Sequence, residues 1–577
     1  MDGVNVTLAY SGSSLFDFPT ELIVQILHFL SLHELITCQL CCRLLRRIIQ
    51  ASSRLQYTML TEATSIQYDP LSNRPYAERL ELLRRRERAW TQLDPRAFTT
   101  IPVHFQSSGI YDFTGGAFLL GNRYNADNRR LTHGYSYLRL PSIYDIPELL
   151  DGGATSITWK SVNFGMTVVD VGLAVEEHDL IAVLTSREVP GDDPEEDTTV
   201  LELRLLSFST GHPHPLAASP VMFLTRRDAW LGHCSVLIEI VGDYLALLLT
   251  FPWIRLNGKD KFFLVEWKTG RSHLIRTSQS GAYAHFVFLQ EDLLVFTHMS
   301  LNHLEICKIV AGNPPSLQTV RILQFPSLQN AHVLRFDCRA EPNPMSSSTP
   351  PFQPQSEPRT RCAVREDPEN AIAIFYLVFQ QGPGAPHFGE MHHFSFVVHR
   401  RSLIALLPLE AREAPRFHAA WPQADGITVL PLEWEKWGPR VTRWFACDEE
   451  PMRWITMTNG QRYVTTTDEQ RGPLTLRDFN PYHVRRHQMR AADGGRDAEE
   501  KMVLPNGNVV RLVTQKTVLQ RGDLFEADVE SELPYCETVT RKEYEYDGVM
   551  IDEERIVGLY LREDGTGIKS YDVHLFG

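Results

Sequence analysis

The sequence lacks an uninterrupted apolar run long enough to cross a membrane as a helix. Its longest candidate, Tyr244–Ile254, has far fewer than the roughly 18 apolar residues that a spanning helix needs, and a proline interrupts it. The N-terminal residues, MDGVNVTLAYSGSS, have no basic segment followed by an apolar one. We therefore expect no membrane partner and no secretory signal, and we expect residues 1–14 to be flexible.

Cysteine is sparse and irregularly spaced. The nine cysteines are scattered along the chain and their number is odd, whereas small secreted domains place an even number of cysteines at regular spacings. We predict no disulfide framework and a reducing, intracellular location, in the cytoplasm and/or the nucleus.

Positive charge is in the minority. Lysine and arginine total 57 against 71 aspartates and glutamates, which gives a formal net charge of −14. Binding to a nucleic-acid backbone requires clustered, surplus lysine and arginine. We therefore expect no nucleic-acid partner, and the run Arg84–Arg86 does not change this because Glu81 and Glu87 are interleaved with it.

Motifs that would indicate an active site are also lacking. We find no glycine-rich phosphate loop, no GxSxG nucleophile elbow and no HExxH helix. His387, His392 and His393 lie close in sequence, but no cysteine or carboxylate completes the spacing of a zinc site. The sequence predicts no catalytic residues, no metal site and no cofactor.

What the sequence does contain is a strong helical pattern over residues 15–50. Pro19 suits the first turn of a helix, because its missing N–H needs no partner there. After it, apolar residues recur at intervals of three and four, which predicts an amphipathic helix. These residues are Leu22, Ile23, Ile26, Leu27 and Leu30.

Two more short helices are predicted in the same segment. Ser31 and Glu34 have the spacing of a capping box, which starts the second helix, and Leu35 lies on its apolar side. A third run follows, with Leu40, Cys41, Leu44, Leu45, Ile48 and Ile49 on its apolar side and Arg43 on its polar side. Three short helices cannot bury all these side chains among themselves, so we expect part of this surface to meet a partner or the next domain.

The segment resembles the F-box in the order and spacing of Leu15, Phe18-Pro19, Glu21-Leu22, Ile26-Leu27, Leu30, Leu35 and Cys41-Cys42-Arg43, and the resemblance covers residues 15–60. It implies docking on a Skp-family adaptor, which is tied to a cullin scaffold in an SCF-type ubiquitin ligase, and binding of an unknown target protein. Leu45 stands where the family usually has an aromatic residue, which reduces the contact area. The adaptor-binding residues that the resemblance implies are Leu15, Phe18, Pro19, Leu22, Ile23, Ile26, Leu27, Leu30, Leu35, Leu40, Cys41, Arg43 and Leu45.

Three alternatives stay open. The helices could be an ordinary cap on the following domain. The chain could be a propeller-like enzyme with a helical cap, which predicts convergent titratable groups in a central pocket. It could also be an F-box scaffold that binds the adaptor without directing degradation.

The remaining chain changes character after a helical linker. Residues 61–97 form this linker, with charged and apolar residues alternating over 77–94. From residue 98 to 577, short β-prone runs separated by turn residues replace the helical period. The predicted fold class is multidomain, α plus all-β: a three-helix F-box, a connecting helix and a large antiparallel β domain.

A loose internal repeat suggests how that β domain is organised. Asp179, Asp243 and Asp292 each precede an apolar strand that is followed by a second strand. Their spacing is compatible with blades of a β-propeller that carry loop insertions, and the domain has room for roughly six to eight blades. A pair of β-sandwiches is the alternative.

Two segments are predicted to be loops. Residues 340–360 are rich in proline and serine and are expected to be disordered. Residues 190–197, PGDDPEED, are predicted to be an acidic, solvent-facing turn rather than a metal site.

A narrower resemblance covers most of the chain. The segments WGPRVTRWF (437–445), LRDFNPYHVRR (476–486) and DEERIVGLY (552–560) are similar to F-box proteins of mushroom-forming (basidiomycete) fungi. The targets of those proteins are largely undefined, so this resemblance implies no particular target.

Overall fold

The structure is a computed structural model of the 577-residue chain, and it separates the chain into two compact units, Met1–Arg88 and Ala89–Phe576. Among the described residues, no helix combines the length and the apolar composition that a membrane crossing requires. The described residues are 15–68, 74–123, 132–151, 157–192, 197–228, 234–251, 258–346, 364–382, 390–417, 429–447, 456–466, 472–493, 501–522, 524–564 and 567–577.

The first unit is helical. A 3-10 turn at Leu15–Asp17 precedes α1 (Thr20–Leu27), α2 (Leu32–Cys41), α3 (Arg43–Ala51), α4 (Ser53–Thr64), the short strand β1 (Ile66–Tyr68) and α5 (Tyr76–Gln92), whose residues 89–92 belong to the second unit. Helix α5 is where the sequence predicted a helix over 77–94. Its exposed pair Glu81–Arg85 has the expected spacing, with 2.8 Å between Oε1 and Nε. Arg86, however, is fully buried and pairs with Glu87 at 2.5 Å, so the run Arg84–Arg86 is not a continuous exposed basic patch.

The second unit is a large antiparallel β region built mainly from sheets of consecutive strands. A seven-stranded sheet follows chain order, and two four-stranded sheets follow it in the same way. Their strands are β3 (Ser107–Thr114), β4 (Ala117–Asn122), β5 (Thr132–Arg139), β6 (Lys160–Ala174), β7 (Leu180–Val189), β8 (Thr198–Ser207) and β9 (Val221–Asp228), then β10 (Ser235–Val241), β11 (Tyr244–Thr250), β12 (Lys259–Glu266) and β13 (Arg271–Gln279), then β14 (Tyr283–Gln290), β15 (Leu293–His298), β16 (His303–Val310) and β17 (Ser316–Gln324).

Four further sheets use strands from the ends and the later part of this unit. One has the order β18 (Ala331–Arg339), β20 (Ile372–Gln381), β21 (Met391–His399), β22 (Thr442–Cys447); another joins β2 (Ala97–Pro102) to β33 (Ile568–Leu575), β32 (Arg555–Leu561) and β31 (Gly548–Ile551). A six-stranded sheet has the order β23 (Thr458–Asn459), β24 (Arg462–Thr466), β25 (Gly472–Asp478), β30 (Tyr535–Tyr544), β27 (Val509–Val513), β26 (Met502–Val503), and β28 (Thr517–Leu519) pairs with β29 (Val529–Ser531). The remaining elements are β19 (Val364–Glu366) and the helices α6 (Ile146–Leu150), α7 (Val175–His178), α8 (Arg400–Ala405), α9 (Leu409–Glu413), α10 (Trp434–Val441) and α11 (Pro481–Asp493).

Strand β6 divides the seven-stranded sheet into two parts. Its first part, Lys160–Asn163, pairs with β5, and its last part, from Thr167 to Ala174, pairs with β7; Val168 pairs with both neighbours. Gly165 lies between the two parts at a φ of 65°, a conformation that glycine adopts without the steric cost of a Cβ. The sheet therefore consists of two four-stranded meanders, β3–β6 and β6–β9, that share β6.

The most apolar strands are buried on both faces of their sheets. In β11 and β20 nearly every residue is buried. The aspartates of the loose repeat precede strands as expected: Asp179 precedes β7, Asp243 precedes β11 and Asp292 precedes β15. The expectation of a large antiparallel β region is confirmed.

The loop predictions need one correction. Residues 340–346, the first part of the segment predicted to be disordered, are ordered and partly or fully buried. The Ser346 N–H donates to Glu177 Oε1 at 2.7 Å, and Arg400 donates to the carbonyl oxygens of Ala340 and Pro342, both at 2.5 Å. Residues 347–360 lie outside the described residues, as do 1–14 and residues 193–196 of the acidic turn.

Candidate adaptor-binding surface

The apolar residues of α1 fall on two sides of the helix. Ile23 and Leu27 are buried in the core of the first unit. Leu22 and Ile26, which immediately precede Ile23 and Leu27 in sequence, are 42% and 46% exposed. One helix therefore supplies both a core stripe and an exposed apolar stripe.

Local hydrogen bonds fix the start of α2. The Ser31 N–H donates to Glu34 Oε2 at 2.8 Å, and the Glu34 N–H donates to Ser31 Oγ at 3.4 Å. This confirms the predicted capping box. The hydrogen bonds from Ser31 also lower the pKa of Glu34, because they favour its charged form.

The helix boundaries differ from the prediction in one respect. Leu40 and Cys41 belong to the end of α2, not to the third helix, because α2 continues to Cys41. Cys42 separates the two helices and caps α3, where its Sγ accepts the Leu45 N–H at 3.4 Å. A fourth helix, α4, adds Leu55 to the core of the unit.

The thirteen residues that the sequence singled out divide by exposure. Four are buried in the core: Ile23, Leu27, Leu35 and Leu45. Two are half-buried against it, Leu15 and Leu30. Seven are exposed: Phe18, Pro19, Leu22, Ile26, Leu40, Cys41 and Arg43. Only the exposed group is available to touch a partner in this conformation, while the buried group shapes the helices beneath it.

Other exposed apolar residues were not among those thirteen. Phe29 is 88% exposed, and Phe16, Ile36 and Leu44 are exposed by 40% or more. Phe29 follows Ile26 by three positions and Leu22 by seven, so the helical period that defined the site already pointed to it. With Phe18, Leu22, Ile26 and Leu40, these residues form a set that we call the apolar face.

The cysteines of α2 have a spacing that sequence reasoning missed. Cys38 and Cys41 form a CxxC pattern on this helix. Burial, with a smaller contribution from Cys41, raises the pKa of the Cys38 thiol, whereas reactive cysteines have a lowered pKa. A packing role for this cysteine fits better than a redox role.

Leu45 allows a test of whether its position belongs to the core of the first unit or to the adaptor-binding surface. It is only 8% exposed and lies in the core. Replacing Leu45 by tryptophan, the type of residue usual in the family, is expected to overpack this core and lower the free energy of unfolding by about 1–3 kcal/mol. Chemical denaturation of the full chain checks this. An unchanged or raised midpoint, with tighter adaptor binding, would contradict the assignment of Leu45 to the core.

In the β region, titratable groups do converge, as the enzyme alternative requires. Arg339 Nη1 lies 2.7 Å from Glu239 Oε1, its Nη2 lies 3.6 Å from Asp112 Oδ1, and its Nε lies 3.4 Å from Glu341 Oε1. Burial raises the pKa of Asp112 to about 6 and that of Glu341 to about 8, although Arg339 opposes both shifts. These four groups are all buried.

Side chains of residues 340–346 donate hydrogen bonds to buried glutamates in and near this cluster. Asn343 Nδ2 donates to Glu239 Oε2 at 2.5 Å, and Ser346 Oγ donates to Glu291 Oε1 at 2.5 Å. The described contacts therefore pair the cluster internally and account for it as a structural network. Elsewhere, His393 Nδ1 and the Tyr376 hydroxyl share a hydrogen bond of 2.6 Å. The described residues contain no group of side chains arranged to hold a metal ion.

The geometry defines a class of protein: a small helical unit with a solvent-exposed apolar face, followed in the chain by a large antiparallel β region. Residues 15–57 match the model of the F-box domain, which supports an F-box protein. F-box domains generally bind Skp-family adaptors. No curated protein sequence matches the chain.

Solved structures resemble the chain only distantly. Kluyveromyces lactis Hsv2p is 12% identical with a TM-score of 0.22, over 38% of this chain and 62% of that protein. The WD40 domain of SCAP from fission yeast is 5% identical with a TM-score of 0.31, over 83% of this chain and 94% of that domain. This chain thus spans less than two thirds of the length of Hsv2p.

Proposed function

We propose that the protein is the substrate-recognition subunit of an SCF-type ubiquitin ligase. In this role the F-box docks on a Skp-family adaptor and through it on a cullin scaffold, while the β region binds a target protein. The ubiquitin-transfer chemistry belongs to other subunits, so the chain itself needs no catalytic residue, metal or cofactor. The apolar face of the F-box unit is the observation that carries the proposal.

That face is unusual for a surface that stays in water. Eight large apolar residues between Phe16 and Leu44 are exposed by 40% or more: Phe16, Phe18, Leu22, Ile26, Phe29, Ile36, Leu40 and Leu44. Exposed apolar residues that occur singly need no explanation, but a dense group indicates an interaction site. Covering them removes apolar area from water, which favours association.

We further propose that the β region is a seven-bladed β-propeller. Support comes from the consecutive four-stranded meanders, if the seven-stranded sheet is counted as two blades that share β6. In the sheet that joins β2 to β33, residues Ala97–Pro102 pair with Ser570–Leu575, so a strand from the start of the unit completes a blade from its end. Such a pairing would close the ring and remove open sheet edges.

The target-binding role is tested by comparing the proteins that co-purify with the chain when degradation is blocked and when it is not. Affinity purification of the full chain with and without a proteasome inhibitor should enrich at least one ubiquitinated protein only when the proteasome is blocked. The same protein should be lost from the enriched set when the F-box cannot bind its adaptor. Equal recovery under all conditions would favour an F-box scaffold that is not linked to degradation.

Two further points belong to the same proposal. A location in the cytoplasm and/or the nucleus is supported by the described cysteines, which are free thiols. Membership of the basidiomycete group of F-box proteins is supported by the three sequence segments that resemble it, one of which forms the start of α11.

A further inference from the structure

Helix α11 carries a basic, exposed face in a chain whose net charge is −14. Arg485, Arg486 and Arg490 are exposed, and so are Tyr482 and Met489. The four other residues follow Tyr482 by three, four, seven and eight positions, so all five share one side of the helix. The opposite side contains the buried Val484, which packs on Leu512 and Cys536 in the core of the β region.

The beginning of α11 is held in place by side chains that precede it. Asn480 Oδ1 accepts the N–H groups of Tyr482 at 2.8 Å and of His483 at 3.2 Å. Asp478 Oδ2 lies 2.7 Å from His483 Nδ1. Burial alone would raise the pKa of Asp478, but His483 and Arg462 lower it to about 2, so the carboxylate stays charged. These contacts anchor the helix and thereby fix the direction of its basic face.

The three arginines have no ion-pair partner within the part of the chain that the structure describes. The acid at the end of the same face, Asp493, forms no ion pair with them there either. Arg486 and Arg490 are one helical turn apart, and burial, with a further contribution from Arg486, lowers the pKa of Arg490. Like charges one helical turn apart destabilise a helix, so the stability of α11 does not explain this arrangement.

We propose that this face of α11 binds an acidic peptide segment of a partner protein. The guanidinium groups match carboxylates in charge and in two-point hydrogen-bonding geometry. Tyr482 and Met489 add exposed apolar area beside them, and tyrosine, methionine and arginine are enriched in protein–protein interfaces. A nucleic acid fits less well, because the negative charge of the whole chain opposes its approach. The proposal does not depend on the function of the F-box.

The test is fluorescence anisotropy of the full-length chain with a short fluorescein-labelled peptide in which glutamates alternate with leucines. The chain should bind this peptide and not the matching peptide of lysines and leucines. The triple change Arg485→Glu, Arg486→Glu and Arg490→Glu should weaken binding about tenfold or more, because each attraction becomes a repulsion. Added salt should weaken binding by the wild-type chain, since exposed charges are screened.

A matched control separates this face from the overall charge. Arg187, Arg271 and Arg521 are also exposed but lie elsewhere on the β region, and changing all three to glutamate alters the net charge equally. This control should change the affinity less than about twofold. Thermal melting of both triple variants should match that of the wild-type chain, because the replaced side chains lie in solvent.

Four results would overturn the proposal. They are no preference for the glutamate peptide, equal weakening by the two triple variants, tighter binding of single-stranded oligothymidylate than of the peptide, and occupation of the face by the chain itself. The last is checked with Asp497→Asn, Glu499→Gln and Glu500→Gln, acids that closely follow α11 in sequence. A rise in peptide affinity of about tenfold or more in that variant would mean that this segment covers the arginines.

Discussion

Replacing Leu22 and Ile26 by aspartate is expected to weaken binding of the full chain to a Skp-family adaptor by at least about a hundredfold. Both side chains are nearly half exposed in the free chain. Docking would therefore bury the remaining half of each, which contributes roughly 1 kcal/mol per residue or slightly more. Aspartate removes this contribution and adds a carboxylate whose desolvation costs about 1–3 kcal/mol. Isothermal titration calorimetry with purified adaptor measures the loss.

The fold should survive this change, which separates docking from stability. Leu22 and Ile26 lie outside the core that Ile23 and Leu27 help to build. A charge-matched control, Leu216→Asp with Leu301→Asp, alters two exposed leucines of the β region and should leave adaptor affinity unchanged. Undiminished adaptor binding by a folded Leu22→Asp, Ile26→Asp chain would refute docking through α1.

The second large effect is expected at Arg339. Changing it to methionine should lower the free energy of unfolding of the β region by about 3–5 kcal/mol, because the buried carboxylates of Glu239, Asp112 and Glu341 lose their shared cation. Chemical denaturation monitored by tryptophan fluorescence measures this. Arg271→Met, at an exposed position on β13, serves as the control and should change stability by less than about 0.5 kcal/mol.

The effect of Arg339→Met should depend on pH in a defined direction. In the folded chain, burial raises the pKa of Asp112 to about 6 and that of Glu341 to about 8, above their unfolded values. Between the unfolded and the folded pKa of each group, the folded state therefore holds more protons than the unfolded state. The free energy of unfolding falls as pH rises through that interval. Without Arg339 both pKa values should rise further, so the variant should be least stable relative to wild type above about pH 8 and closer to it near pH 5. A loss that is equal at both pH values would show that the carboxylates do not sense Arg339.

Features set by neighbouring residues could be predicted from sequence. The capping box of Ser31 and Glu34 depends on a spacing of three residues, and the structure contains it. The strands of the β region follow from apolar runs between turns, because β-branched and aromatic residues fit the pleated, buried surface of a sheet. The three-helix prediction came close, although α2 extends through Cys41 and α4 completes the unit.

Features set by distant partners could not be predicted. Leu22 and Leu27 are equally apolar, so their periodicity cannot say which one meets the core and which one faces solvent. Residues 340–346 have the composition of a loop, but Glu177, Glu239 and Glu291 supply hydrogen-bond partners from distant parts of the chain. Likewise, nothing in the sequence near Arg86 indicates that it is buried.

The most direct measurement of the central claim is complex formation between the wild-type chain and a purified Skp-family adaptor, followed by hydrogen–deuterium exchange of the complex. We predict a stable complex on size-exclusion chromatography and slowed exchange confined to the helices within residues 15–57, with exchange in the β region unchanged. Failure of the wild-type chain to bind any such adaptor, or protection that lies only in the β region, would contradict the account and favour a helical cap without a docking role.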